Sequence, residues 1–293
     1  MNNTLVTVFT PTYNRALTLP RLWESLKRQD SFQFEWLVID DGSNDNTADV
    51  IDKMKDNTFE FEIIYKKQEN GGKHRAINYG VNIATGELFF IVDSDDWLPP
   101  NSISTIINYY SQIKDNCEFV GIAGCKFDSR EKMSGKTFEG EYVDATALDR
   151  SALGIKGEKA EVFFTKILQK YPFPEFENER FISESVVWNK IAADGYKMRW
   201  FNKNIYYYEY QEDGLTNRLR ENYRDNPKGY LTFISNETKY LKIKGIKRFV
   251  WFGRCIDTVE NVLSQKEIRK MLGICYLEYC ISKFLFKLYN LVR

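Results

Sequence analysis

Little in this chain supports a metal centre built on soft ligands. Among its 293 residues there is a single histidine, His74, and the five cysteines (Cys117, Cys125, Cys255, Cys275 and Cys280) are widely spaced with no CxxC pair. A two-histidine metal site is therefore excluded, and neither zinc nor a disulfide framework is suggested. A reducing cytoplasm suits such a chain. A lone histidine is more often packed or solvated than catalytic, so His74 is assigned no chemical role. No uninterrupted apolar span of about 18 residues occurs, the length expected of a transmembrane helix. The amino terminus runs almost at once into LVTVFTP, leaving no room for the charged and apolar regions of a signal peptide. The formal charge is zero, with 41 Lys and Arg against 41 Asp and Glu. That excludes a strongly polyanion-seeking protein, and nucleic acid is not implied. Two nucleotide-binding signatures, GxxxxGK[ST] and GxGxxG, are also missing.

What is present is ample material for a core: 43% apolar residues, of which many are aromatic. The length allows one large α/β domain with an appendage, or two domains. Over the first hundred residues, strand patterns at 5–11, 34–40, 61–66 and 88–92 alternate with helical patterns at 19–29, 47–55 and 73–84. Strands separated by helices argue for βαβ units and a mostly parallel, Rossmann-like sheet flanked by helices. In such sheets, ligands lie at the carboxyl ends of the strands. The polar clusters TPTYNR, DDGSNDNT, NGGKHR and DSDD each follow one of the four strands, so four loops are expected along one edge. Beyond Pro99 the pattern loosens. A helix is expected at 103–113 and a strand at 119–127, while 159–168 is apolar but ambiguous. FPEFENERF reads as a surface loop, Ser183 as the cap of a helix ended by Gly195, and YYYEYQEDGLTNR as a strand and turn. From about residue 220 the chain reads as mainly helical.

The acids carry the chemistry. In LFFIVDSDDWL a buried strand ends in Asp93, Asp95 and Asp96. Carboxylates at i and i+2 can close on one hard divalent ion that keeps phosphate oxygens as its other partners; the plainer alternative is a solvated acidic turn. In DDGSNDNT, one of Asp40 and Asp41 can accept from a nucleobase N–H, or both can serve an ordinary turn before a helix whose cap is Asn44, Asp45 or Asn46. NGGKHR offers paired glycines and then Lys73 at a helix start, where N–H groups and the dipole favour anions.

In their order and spacing, TPTYNR, DDGSNDNT, NGGKHRAIN and GELFFIVDSDDWLPP resemble a family 2 glycosyltransferase with the GT-A fold, of the capsular or exopolysaccharide type. The resemblance implies an inverting enzyme that takes a sugar from a nucleotide-sugar, usually a UDP-sugar, with Mn²⁺ or Mg²⁺ at a DxD motif. On that basis Pro11 and Tyr13 line the nucleoside pocket, Asp41 meets the base, and Lys73 approaches the nucleotide. Asp93 and Ser94 lie against the nucleotide, and Asp93 and Asp95 hold the ion. The family's catalytic base lies at a helix start well after the DxD motif, often in an ED pair; here FISESVVWNKI places Glu184 there, with Ser185 where a second acid is common. Glu177 and Glu179 lie close enough in sequence to compete for that role. A processive synthase of the family would show QxxRW, but the residue three before Arg199 is Tyr196, so transfer of one sugar at a time is expected. Gly214 and Thr216 in EDGLTNR resemble a cleft-closing segment, or form a plain hairpin-like loop.

The expected division is a nucleotide-sugar-binding half over 1–98, an acceptor-binding half over 99–218 and a mainly helical extension over 219–293. The last stretch, ICYLEYCISKFLFKLYNLVR, is apolar on more than one face and carries Lys283, Lys287 and Arg293. It can lie on a membrane surface, pack internally, or join a second subunit in a homo-oligomer. A saccharide or lipid-linked saccharide acceptor at the inner face of a membrane would suit a cytoplasmic enzyme that touches the membrane peripherally. Two other functions stay open: a non-catalytic sugar-nucleotide-binding subunit, and a Mg²⁺-dependent phosphatase, whose DxD motif would be expected near the first strand rather than the fourth.

Overall fold

Two seven-residue runs, VTVFTPT and FEWLVID, are buried at every position. Strands covered on both faces read as continuous apolar stretches and belong at the centre of a parallel sheet. In the structure, a computed structural model that describes residues 4–56, 60–209 and 219–291, these runs are β1 (Val6–Thr12) and β2 (Phe34–Asp40). The other strands are β3 (Ile63–Lys67), β4 (Leu88–Ile91), β5 (Phe119–Asp128), β6 (Tyr142–Ala145), β7 (Lys159–Phe164) and β8 (Lys197–Tyr208). The helices are α1 (Leu19–Lys27), α2 (Thr47–Lys55), α3 (Lys73–Ile83), α4 (Ser102–Ser111), α5 (Thr165–Leu168) and α6 (Ser185–Ala193), followed by α7 (Leu219–Asp225), α8 (Pro227–Tyr240), α9 (Gly245–Val259), α10 (Gln265–Leu272) and α11 (Tyr276–Leu291). They fall into two compact units, Met1–Pro172 with Asp194–Gln211, and Phe173–Ala193 with Glu212–Arg293.

The first unit holds one eight-stranded sheet in the order β3-β2-β1-β4-β7-β5-β8-β6. β2 pairs in parallel with β1 and β3, and β1 in parallel with β4. The expected α/β class with a Rossmann-like parallel half is present. The other half is mixed: β7 runs antiparallel to β4 and β5, β5 and β8 are parallel, and β6 is an antiparallel edge. The ambiguous stretch at 159–168 resolves into β7 and the single turn of α5, and β8 begins at Lys197, nine residues before the YYYEY tract. Alternation along β1 sends Val6 and Val8 into the cluster formed with Leu22 and Leu26 of α1, Ile51 of α2 and Ile106 of α4. Phe9 faces the opposite way, onto α3.

Strand order places β2 and β3 on one side of β1 and β4 on the other. The crevice at the carboxyl ends of β1 and β4 is thus a topological switch point, where ligands of open α/β sheets bind. Proline helps to open it. Leu5 and Phe9 present their carbonyls to the N–H groups of Leu88 and Val92, so the N–H of residue 11 would face β4 as well. Pro11 has none, and the register of β1 with β4 ends at the pair Phe9 and Ile91. Glu35, buried in β2, ties the opposite end together: its carboxylate accepts from Thr7 Oγ1 (2.6 Å), Thr85 N (2.8 Å) and Thr85 Oγ1 (2.5 Å).

The second unit is helical. Its core gathers Tyr230, Leu231 and Ile234 of α8, Phe252, Cys255, Ile256 and Val259 of α9, Ile268 and Leu272 of α10, and Tyr279 of α11. Ser264 and Glu267 form a reciprocal capping box at the start of α10. Among the described residues no helix is long and apolar enough to cross a membrane.

The seat of α3 on the sheet can be tested at Gly80. A Cβ there would meet the Phe9 ring at 2.2 Å, and that ring is fully buried and stacked on Phe89 at 4.8 Å. Overpacking costs about 1–3 kcal/mol and outweighs the gain of about 1 kcal/mol from replacing a helical glycine. Gly80→Ala is expected to lower the unfolding free energy by about 1–2 kcal/mol in urea titration; a more stable variant would mean that α3 is free to lift.

Candidate functional site

The first two polar loops are laced together. Asn14 takes a left-handed backbone, φ 53°, which Asn tolerates because its side chain bonds locally. Its amide donates to Ser43 Oγ (2.8 Å) and its Oδ1 accepts from Asn44 N (2.8 Å). Ala16 N donates to Asp45 Oδ2 at 3.1 Å, while Asp45 Oδ1 accepts from Thr47 N at 3.0 Å. Of the three expected caps for α2, Asn46 holds the cap position without a side-chain bond, and the carboxylate that reaches the first residue of the helix is that of Asp45. Burial pulls its carboxyl upward, but the bonds from Thr47 and Ala16 hold it below the usual range. Pro11 is buried at the end of β1, while Tyr13 remains 43% exposed beside it.

The two acids that end β2 have different tasks. Asp40 accepts from Ser43 N (2.7 Å) and Tyr65 Oη (2.6 Å), closing the turn. Asp41 reaches the third loop: its Oδ1 accepts from Gln68 Nε2 and Gly71 N (2.8 Å each), and its Oδ2 from Gly72 N (2.7 Å). The anion at the amino end of α3 is therefore Asp41's own carboxylate. Gly72 caps the helix with φ 94°, a conformation that glycine adopts without strain. The glycine N–H groups expected to approach a phosphate are spent within the protein. Asp41 is nevertheless held rigidly, and a carboxylate with about four lone-pair sites keeps room for one more donor.

The same helix start brings Lys73 to the fourth loop, where its Nζ lies 2.7 Å from Asp93 Oδ1. Two residues singled out in separate loops meet directly. Burial drives the Asp93 carboxyl up, but Lys73 and Lys126 together hold it below the ordinary carboxylate range. Asp95 is raised by burial and by the charge of Asp93. Asp96 is raised by the same two causes, to about 7. Its carboxylate is a fastening: Asp96 Oδ2 accepts from Tyr206 Oη (2.6 Å), which in turn accepts from Asp93 N (3.0 Å), and Glu209 N donates to Asp96 Oδ1 (3.2 Å). Ser94, between the acids, is buried. His74 is buried in α3.

Three contributors to this site have no signal in the motifs. Lys126 of β5 has only 15% of its side chain exposed, sits 4.1 Å over the Tyr206 ring, and keeps a raised ammonium because Asp93, Glu158 and Asp96 outweigh its burial. Tyr206 sits in an aromatic run that reads equally well as core. Arg21 of α1 donates to the Asp95 carbonyl (2.5 Å), pairs with Glu209 (2.6 Å) and lies 4.1 Å over Trp97. Lys126 and Tyr206 stand in runs that read as core strand, and no spacing rule links β5 or β8 to the fourth loop.

Oxygen-only donors at i and i+2, with no histidine or cysteine beside them, suit a hard divalent ion. Among the described residues no group of three or more His, Cys, Asp or Glu side chains is arranged to hold a metal by itself.

Glu184 belongs to the second unit. It precedes α6, and its carbonyl accepts from Val187 N (3.0 Å) and Trp188 N (3.2 Å), so the turn begins there. The Ser183 hydroxyl, expected as the cap, instead lies 3.1 Å from Ser185 Oγ. Glu179 is committed elsewhere: its oxygens accept from Lys228 N (2.9 Å) and Gly229 N (2.8 Å) at the start of α8. Glu177 is exposed. Arg199, the residue of the incomplete QxxRW pattern, donates to both carboxylate oxygens of Asp144 (2.8 Å each) across the β6–β8 edge. Gly214 and Thr216 lie outside the described residues.

A parallel half-sheet with acids and a lysine at its switch point, continued by a mixed half, defines the GT-A class of fold. S. aureus TarS in complex with UDP-GlcNAc has this fold: its crystal structure superposes with a TM-score of 0.65 at 16% identity, covering 99% of this chain and 92% of that one. The chain belongs to glycosyl transferase family 2, whose family model matches residues 7–179. It is a glycosyltransferase, which decides among the three functions left open by the sequence. Glycosyltransferase GlyG of Streptococcus pneumoniae is 27% identical over 70% of each chain. The GalNAc(5)-diNAcBac-PP-undecaprenol beta-1,3-glucosyltransferase of Campylobacter jejuni is 26% identical over 83% of this chain and 78% of that protein.

Asp41→Asn isolates the clamp. The amide would turn an N–H donor toward the backbone donors Gly71 N or Gly72 N, removing a charge-assisted bond worth about 1.5–3 kcal/mol. The variant is expected to lose that much in denaturant titration, and nucleotide affinity with it; wild-type stability would mean that the loop holds itself.

Proposed function

We propose that this glycosyltransferase is an inverting, non-processive enzyme of polysaccharide biosynthesis. It takes a sugar from a UDP-sugar and passes it by metal-assisted single displacement to a hydroxyl of a saccharide or lipid-linked saccharide. The observation that carries the reading is the meeting of Lys73 with Asp93 at the switch point. An ion pair there holds in readiness the cation and the acid that a nucleoside diphosphate needs. The committed Arg199 supports transfer of one residue at a time, and the name of the C. jejuni relative supports a lipid-linked acceptor.

In this reading residues 1–98 serve the donor, 99–218 the acceptor, and 219–293 extend the enzyme. Pro11 and Tyr13 flank the nucleoside, and Asp41, immobilised by Gly71 and Gly72, accepts from the base. Asp93 and Ser94 face the nucleotide. Asp93 and Asp95 would hold a divalent ion, Mn²⁺ or Mg²⁺, which when bound supplies Lewis-acid charge at the diphosphate. Lys73 adds a fixed positive charge toward the departing oxygens, and Lys126 helps to hold the Asp93 carboxyl low. Glu184 takes the proton from the attacking hydroxyl on the face opposite the leaving group, as inversion requires.

Glu184→Gln keeps the shape and removes the base. UDP affinity by calorimetry is expected to stay within about two-fold while transfer falls by about 10²–10⁴-fold; retained transfer would remove Glu184 from the mechanism. A panel of nucleotide sugars incubated with the purified chain is expected to show slow hydrolysis of one UDP-sugar that stops with EDTA and returns with Mn²⁺. Hydrolysis indifferent to EDTA would remove the ion.

A further inference from the structure

The zero net charge conceals a division. Residues 219–293 carry fifteen Lys and Arg against seven Asp and Glu, net +8, while residues 1–218 carry 26 against 34, net −8. The helical unit as a whole carries eighteen Lys and Arg against thirteen Asp and Glu, net +5, with the excess concentrated in residues 219–293, and it exposes large apolar side chains. α11 buries Tyr279, Ser282 and Phe286 on one side. Leu277, Phe284, Leu288 and Leu291 recur at spacings of seven, four and three, which puts them on one face, and they are 66%, 62%, 42% and 81% exposed. Arg248 Nη1 pairs with Glu278 Oε1 at 2.9 Å, joining the first turn of α11 to that of α9. There Lys242, Lys244 and Lys247 are exposed, with Ile246 between them.

We propose that this face of the helical unit is a docking surface for an anionic phospholipid bilayer. Lysines beside exposed leucines and phenylalanine are what an interfacial helix presents: the apolar side chains enter the acyl boundary and the ammonium groups meet lipid phosphates. A soluble polyanion would use the lysines but gain nothing from Leu277, Phe284 or Leu291. A second copy of the unit would bring +5 against +5, so charge opposes self-association through this face and favours a negative partner. The inference does not depend on Asp93, Asp95 or Glu184, and its test needs no donor sugar.

The test is sedimentation of the full chain with sucrose-loaded vesicles of phosphatidylcholine, with and without phosphatidylglycerol. Binding is expected only to the anionic vesicles and is expected to weaken with salt. Replacing Lys242, Lys244 and Lys247 by glutamine should lower partitioning by about 100-fold, some five-fold for each charge. Phe284→Ser with Leu288→Ser should weaken it as well, with an unchanged thermal melt because both positions are exposed. Failure of the wild type to sediment with anionic vesicles would overturn the proposal. Binding that needs the lysines but ignores the serine replacements would also overturn it, pointing to a soluble polyanion. A dimer in light scattering that the serine replacements abolish would assign the face to a second copy instead.

Discussion

Three carboxylates within four residues, at the end of a buried strand, repel one another and resist leaving water. The active region is arranged around that problem. Lys73 answers the charge of Asp93 at 2.7 Å, Lys126 adds a second ammonium from β5, and the Tyr206 hydroxyl is shared between the backbone of Asp93 and the carboxylate of Asp96. Burial and the charge of Asp93 push the Asp95 carboxyl upward.

The amino end of α3 serves two loops at once. Its first N–H groups close on Asp41, and its first side chain reaches Asp93. A shift of this helix would therefore disturb the second and fourth polar loops together. Gly80 and Phe9 set its height above the sheet, so a packing contact in the core governs electrostatics at the rim. Pro11 contributes in another way, by ending the ladder between β1 and β4 where the crevice must open.

The second unit gives the acid before α6 a frame of its own. Asn226 Oδ1 accepts from Arg180 N and Phe181 N (2.5 and 3.0 Å), Glu179 caps α8, and Asn189 Nδ2 donates to Glu237 Oε1 at 2.6 Å. Contact with α8 thus fastens the loop leading to Glu184, and it sorts three neighbouring glutamates: Glu179 is consumed as a cap, Glu177 faces solvent, and Glu184 remains at the helix entry.

Much of this molecule is local information and was legible as such. Continuous apolar strands, helical spacing and the polar loops after each strand determined the parallel half-sheet, the edge where the site lies and the family, because periodicity and turn chemistry act over a few residues. Which acid does what was decided only by tertiary structure. Asp96 and Asp95 are indistinguishable in DSDD, and they separate because Tyr206, 110 residues away, binds one of them. The NGG turn looked ready for phosphate until Asp41, 31 residues from Gly72, took its donors. The order of β5 to β8 was equally hidden, since which strands neighbour one another depends on burying whole faces, and no short window of sequence records that.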